Sequence, residues 1–120
     1  QVIAVLNVRM NNDLIFSQAV AGDPAQVVTS ANGAIFMVTG EPNQSFSVQI
    51  PTSGITMTTG SGAQANEKII VNQFTSNYPA GTGTLKQGTA TIQVGATRAA
   101  LLGSQEGGDH SGNFSIIVSY

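Results

Sequence analysis

The sequence predicts one all-β domain of the β-sandwich class. Its 120 residues are about the length of a single domain. Only 8% of the residues are charged, roughly a third of the usual share, whereas 41% are hydrophobic. Short segments in which apolar and polar residues alternate recur along the chain, and no segment has the 3.6-residue apolar period of an α-helix. Turn residues separate these segments about every 8–15 residues, a spacing typical of a sandwich.

The first predicted strand covers residues 1–10, QVIAVLNVRM, and would be about 33 Å long. Its even positions form an apolar row that consists of Val2, Ala4, Leu6, Val8 and Met10. The opposite face also starts apolar, with Ile3 and Val5, so a slip of one residue would exchange the two rows. The turn residues 11–13 follow this strand and are predicted to act as a hinge.

The next part of the chain is predicted to form a second strand and then a hairpin of residues 26–29 and 34–39. Residues 14–16 begin the second strand, and the turn residues 21–24 end it. The pair Asn32-Gly33 lies between two apolar runs and is the strongest hairpin signal in the sequence.

The later strands are predicted from alternation between glycine-rich loops. They cover residues 34–39, 45–50, 54–58, 68–74, 89–95 and 113–120. Pro51 ends the second of these, because proline cannot donate to a strand ladder. The inward-facing side chains of the two most regular strands are predicted to be Phe46, Val48, Ile50, Ala90, Ile92 and Val94. The last strand carries an apolar row of its own, formed by Phe114, Ile116, Val118 and Tyr120.

The composition argues against several kinds of function. Without Cys, neither thiolate zinc sites nor disulfides can form. A net charge of −2 and scattered basic residues argue against nucleic acid as a partner, and no apolar run reaches 18 residues, so no membrane insertion is expected. Asp109, His110 and Ser111 are adjacent in one loop and cannot converge as a triad, and Glu106 with Asp109 would bind a cation weakly at most. We therefore expect no enzymatic activity, no cofactor and no metal.

The two ends of the chain are the most informative part of the sequence. Chain termini usually fray, whereas both ends here carry rows of apolar side chains. They can be ordinary sandwich strands. Alternatively, the N-terminal strand completes the sheet of a neighbouring molecule, and such a head-to-tail contact does not close and builds a filament. A strand at the extreme end can detach without rearranging the rest, and left free it would promote aggregation.

Several stretches of the chain together resemble a known family. The C-terminal SGNFSIIVSY, residues 111–120, resembles the last strand of bacterial pilins, which ends in alternating apolar residues and a Tyr. Further matches are DLIF at 13–16, FMVTGEPN at 36–43, FSVQIP at 46–51, NQFTS at 72–76 and GAT at 95–97. Over nearly its whole length, the chain thus resembles small exported domains of the DUF4402 type. That family is similar to subunits of chaperone–usher fimbriae, particularly of the archaic and alternative branches.

This resemblance implies an immunoglobulin-like β-sandwich that lacks its last strand. In such pilins a periplasmic chaperone fills the gap, and an outer-membrane usher exchanges it for the N-terminal extension of the next subunit. Carried onto this chain, residues 1–10 are the donor strand, with Val2, Ala4, Leu6, Val8 and Met10 as donor residues, and residues 11–120 are the sandwich. The acceptor groove, which the chaperone also contacts, is lined in part by Phe114, Ile116, Val118 and Tyr120. Many better-studied pilins carry a disulfide, which this chain lacks.

The expected function is therefore that of a major pilin subunit. It would polymerise into a surface fimbria by donor-strand exchange and support adhesion or biofilm formation. The chain begins at Gln1 rather than Met, as it would after removal of an export signal or at an arbitrary boundary. The alternatives are a monomeric exported module that binds carbohydrate or acts as an adhesin, and a capsid-like or spore-coat-like lattice protein. The N-terminal strand favours a shaft subunit, because a tip subunit needs no donor extension.

Overall fold

The computed structural model describes residues 3–16, 19–107 and 110–120, and these residues form an all-β structure, as predicted. The described strands are β1 (Asn7–Asn12), β2 (Gln26–Val28), β3 (Ala34–Thr39), β4 (Ser45–Gln49), β5 (Ile55–Thr58), β6 (Lys68–Ser76), β7 (Thr82–Thr84), β8 (Thr89–Arg98) and β9 (Ile117–Ser119). Two short 3-10 turns, Ser30–Asn32 and Ala65–Glu67, are the helical elements of this part of the chain, and neither is long enough to cross a membrane.

The strands form two antiparallel sheets whose inner faces share one apolar core. The larger sheet has the order β1-β3-β8-β6-β5, with β2 also paired to β8, and the smaller sheet has the order β7-β4-β9. The core cluster consists of Ala34, Phe36, Val38, Phe46, Val48, Val71, Phe74, Leu85, Ile92, Val94 and Ala96. Both sheets contribute to it, which is compatible with the predicted sandwich. The inward positions predicted on β4 and β8 are confirmed, because they are buried or half-buried.

The pair Asn32-Gly33 does not form the predicted hairpin. β2 pairs with residues 96–98 of β8 and β3 pairs with residues 89–94, so both lie in line along one edge of β8, with a 3-10 turn between them. Gly33 has a φ of −96°, whereas a two-residue hairpin with Asn-Gly needs a positive φ. A Cβ atom at Gly33 would collide with the Val94 carbonyl oxygen. The glycine is therefore required because the turn approaches β8 closely.

Three other predicted strands differ from the structure. The first strand is β1 at Asn7–Asn12 instead of residues 1–10, residues 14–16 form no strand, and only Ile117–Ser119 of residues 113–120 pair with another strand. Alternation predicts an extended backbone but does not reveal whether a partner strand lies alongside it. The predicted hinge begins inside β1, where the register with β3 shifts between Met10 and Asn12. Such a shift is the mark of a β-bulge.

The molecule is elongated. Its principal extents are 58 × 24 × 21 Å, and its Cα radius of gyration is 16.7 Å. A compact domain of this length has a radius of gyration of about 13–14 Å. The two ends of β8 are consequently far apart, about 30 Å for its 10 residues.

Candidate assembly interface

The two terminal strands lie on the same flank of the molecule and leave it open. β1 is the last strand of the larger sheet, and β9 is the last strand of the smaller one. Within the described residues, each therefore has one edge without a strand partner. Such edges present free N–H and C=O groups that can pair with another chain. We call the region between these two edges the terminal flank.

Tyr120 connects the two sides of the terminal flank. Its hydroxyl donates to the Ala4 carbonyl at 2.5 Å and accepts from the Glu41 backbone N–H at 2.9 Å. The Ala4 N–H donates in turn to Glu41 Oε1 at 3.0 Å. Gly40 permits this approach, because a Cβ atom there would crowd the Tyr120 hydroxyl and Leu6. These contacts hold the segment before β1 against the chain's own C-terminal residue.

The four residues predicted to line the acceptor groove lie together on the inner side of the C-terminal segment. Phe114, Ile116 and Val118 are half-buried and pack against the core. The ring of Phe114 lies 5.2 Å from that of Phe74 and 6.2 Å from that of Phe36. Tyr120 is 41% exposed and forms the hydrogen bonds described above. β9 is fixed beside β4, since Ser47 and Ser119 share a hydroxyl–hydroxyl hydrogen bond of 2.9 Å.

Val8 and Met10 of the predicted donor row lie on the inner face of β1, but the smaller sheet does not cover them. Val8 lies opposite Val38 in the ladder, and Met10 lies opposite Phe36. Val38 is fully buried, whereas Val8 on the same face is 42% exposed and Met10 is 53% exposed. The smaller sheet therefore covers the inner face of the larger sheet only as far as β3. The smaller sheet has three strands against five in the main path of the larger one, and the missing cover lies next to β9.

The rest of the donor row is distributed differently. Leu6 is half-buried and packs against the core, and Ala4 is exposed. Val2 lies outside the described residues. On the opposite face, Val5 is 77% exposed. The even-numbered row is thus the one that faces the core side of the chain's own sheet.

One expectation about these residues is wrong for the isolated chain. Residues 1–10 were expected to leave the body of their own chain and to lie against residues 114–120 only in another copy. In the structure, residues 7–12 pair with β3 of the same chain, and Ala4 contacts the chain's own Tyr120. The physical reason is that the outer edge of β3 has backbone N–H and C=O groups that need hydrogen-bond partners. The extended residues 7–12 of the same chain provide those partners.

Titratable side chains elsewhere in the described part of the chain form no metal-binding cluster. No group of three or more His, Asp or Glu side chains is placed to hold a metal ion there. His110 is half-buried in the wall of a cavity, and Asp109 lies outside the described residues. The pKa of Glu67 is lowered because the backbone N–H of Gln64, and then the hydroxyl and N–H of Ser61, donate to its carboxylate. This exposed carboxylate organises the loop between β5 and β6.

Sequence reasoning missed one charged residue of interest. Arg98 is 5% exposed, at the end of β8 that is distant from Tyr120. In the sequence it is one of four scattered basic residues. Its position in the alternation of β8, in step with Ile92, Val94 and Ala96, is the signal that it faces inward.

Comparison with known protein families gives a match over most of the chain. Residues 7–120 match the model of a family described as a domain of unknown function, DUF4402. No curated protein and no solved structure matches the chain. The matched region begins at Asn7, where β1 begins, and so includes all nine described strands.

Proposed function

The chain belongs to the DUF4402 family, and we propose that it is a structural pilin subunit that polymerises by donor-strand exchange. The observation that carries this proposal is the terminal flank, where the inner face of β1 is half-exposed beside the open edge of β9. In the polymer, residues 1–10 leave β3 of their own chain and enter the terminal flank of a neighbour. There they lie between β3 and β9 and complete the smaller sheet.

The exchange is energetically reasonable because β1 is loosely held. All six of its residues are exposed, so the clearest loss of apolar burial on release of residues 1–10 is that of Leu6, which packs against the core. Its ladder hydrogen bonds with β3 are replaced by equivalent bonds with the neighbour. In the neighbour the donor row faces Phe114, Ile116 and Val118, so Val8 and Met10 become covered. Full burial of a large apolar side chain contributes about 1.5–3 kcal/mol.

The proposal includes the assembly route that the family resemblance implies. The subunit is an immunoglobulin-like sandwich that lacks one strand, exported to the bacterial surface. A periplasmic chaperone holds the terminal flank first, and an outer-membrane usher exchanges the chaperone for the next subunit's residues 1–10. The low charge of the chain suits a protein whose neighbours are copies of itself. The filament would support adhesion or biofilm formation.

Deletion of residues 1–10 tests the proposal. The truncated chain should form no filaments, because it has no strand to donate. A synthetic peptide of residues 1–10 should bind it with one-to-one stoichiometry and raise its midpoint of thermal unfolding, because the peptide fills the terminal flank. Electron microscopy, native mass spectrometry and thermal unfolding measure these results, with a peptide of the same composition in scrambled order as the control.

Two results would overturn the proposal. One is filament formation by the truncated chain. The other is a truncated chain that is a stable monomer and does not bind the peptide of residues 1–10.

A further inference from the structure

A second open site lies at the end of β8 that is distant from Tyr120. It is a cavity of about 820 Å³ between the larger sheet and two loop regions, which contribute residues 14–16, 19–21, 101, 105–107 and 110. This size lies within the range of small-molecule sites. Its apolar wall includes Leu14, Phe16, Val20, Met57, Ile69 and Leu101. The cavity is independent of the assembly proposal, since it shares no residue with the terminal flank.

Arg98 lines this cavity and is the one charged side chain buried in the described residues. Its two terminal nitrogens donate to the Ala99 and Pro24 carbonyls, both at 3.2 Å. Among the described residues, its Nε–H has no hydrogen-bond partner, and no carboxylate lies within ion-pair distance of the guanidinium. Asp23 is close in sequence to Pro24, but its carboxylate accepts from the Val20 N–H at 2.9 Å.

A buried guanidinium that has no counter-charge within the described part of the chain is an unusual arrangement. Removing an ion from water is costly unless an opposite charge and hydrogen bonds compensate for it. Two carbonyl acceptors compensate for it only in part, and the Nε–H remains available. The planar guanidinium is well suited to a carboxylate, which it can bind through two parallel hydrogen bonds.

We propose that the cavity binds a monocarboxylate with an unbranched apolar chain, such as a medium-chain fatty acid. The carboxylate pairs with Arg98, and the aliphatic chain lies against the apolar wall. Three other polar side chains line the cavity, namely His110, Gln105 and Glu106. His110 and Gln105 are half-buried, and the Gln105 amide is bonded to the backbone of Leu102 and Asn66. Glu106 is exposed and accepts from the Asn66 side chain at 3.4 Å. The negative charge of Glu106 repels the ligand's carboxylate from the exposed side and so favours a head group directed toward Arg98.

The test uses decanoate as the probe and the full chain as the protein. Decanoate should bind saturably at one site, raise the midpoint of thermal unfolding and shift the Arg98 Nε–H resonance in nitrogen-15 NMR spectra. Decan-1-ol has the same apolar chain without the charge, and it should bind at least about tenfold more weakly. Equal binding of the two probes, or no saturable binding of decanoate, would overturn the proposal.

Two variants separate binding from folding. Arg98→Met should fold at least as stably as the wild type, because it removes an uncompensated buried charge, and should lose about tenfold to a hundredfold in decanoate affinity. Glu106→Gln should fold normally and bind decanoate as tightly as the wild type or more tightly. Retention of wild-type affinity by Arg98→Met contradicts the proposal. If that variant does not fold, an Arg98 Nε–H resonance in the wild type that decanoate leaves unmoved contradicts it equally.

Discussion

The hydroxyl of Tyr120 shows how a single group can connect the two ends of a chain. It bonds to the backbone of Ala4 and of Glu41, and the Glu41 carboxylate closes the arrangement on the Ala4 N–H. The hydroxyl bonds to a backbone atom of Ala4 and not to its side chain. It could therefore form the same hydrogen bond with residue 4 of another copy of the chain. In the isolated chain, these hydrogen bonds must break before residues 1–10 can enter a neighbour.

Substitution of Tyr120 by Phe tests this role. Tyr120→Phe removes the hydroxyl and retains the ring, so the intrachain contact is weakened while the apolar surface of the flank is unchanged. One hydrogen bond contributes about 0.5–1.5 kcal/mol net, so release of residues 1–10 should become roughly twofold to tenfold faster. Light scattering from freshly prepared monomer measures the polymerisation rate.

Tyr78 provides the matched control for this measurement. Its ring packs edge-on against Phe46, with ring centroids 5.4 Å apart, and it lies away from the terminal flank. Tyr78→Phe should therefore polymerise at the wild-type rate. A Tyr120→Phe variant that polymerises no faster than Tyr78→Phe would contradict the role assigned to the hydroxyl.

At the scale of the strand, local alternation predicted which side chains face inward. It did not predict which strands pair with each other. Phe46, Val48 and Ile92 are buried as their positions in the alternation require. The partners of β2 and β3 were not predictable, because Asn32-Gly33 has the composition of a hairpin turn while the close approach of β8 decides its conformation.

The candidate assembly interface was likewise only partly predictable from the sequence. The apolar rows of the two terminal strands were identified from sequence, including the face on which Val8 and Met10 lie. Their association with the chain's own β3 and Tyr120 was not, because alternation does not specify which of several edges a strand will join. The cavity at Arg98 was not predicted either, since it is built from segments that are distant in sequence.

Substitutions on the two faces of the N-terminal strand should affect the filament yield differently. Met10→Asp places a carboxylate on the donor row, where polymerisation would bury it without a partner, so filament yield should fall strongly. The monomer should lose little stability, because Met10 is already 53% exposed. Val5→Asp introduces the same charge on the opposite face, where the side chain is 77% exposed, and should leave the yield nearly unchanged. Sedimentation of filaments and urea unfolding of monomers measure the two quantities.

The comparison also decides the register of the donor strand. If Val5→Asp abolishes assembly and Met10→Asp does not, the odd-numbered row is inserted and the strand is shifted by one residue. If neither variant changes the filament yield, residues 1–10 do not enter an apolar groove at all.

At the scale of the whole molecule, the proposed contact is directional. Each subunit would donate with residues 1–10 and accept with the terminal flank, so the two halves of one interface are different surfaces. Such a heterologous contact generates open chains unless its rotation closes into a ring. An elongated subunit, 58 Å in its longest dimension, suits a linear assembly of this kind. A symmetric dimer, in which two copies exchange strands with each other, would stop growing after one exchange.

Mixing experiments distinguish these two kinds of assembly. The chain without residues 1–10 can accept a donor strand but cannot provide one, so it should terminate growth at one end of a filament. When about one subunit in ten is truncated, the mean filament length should fall to roughly ten subunits. Truncated chains whose terminal flank is first saturated with the peptide of residues 1–10 can neither donate nor accept, and they should leave the length unchanged. Filament lengths measured by electron microscopy that do not depend on the truncated fraction, or that shorten equally with the saturated chains, would show that assembly does not proceed by directional exchange of this strand.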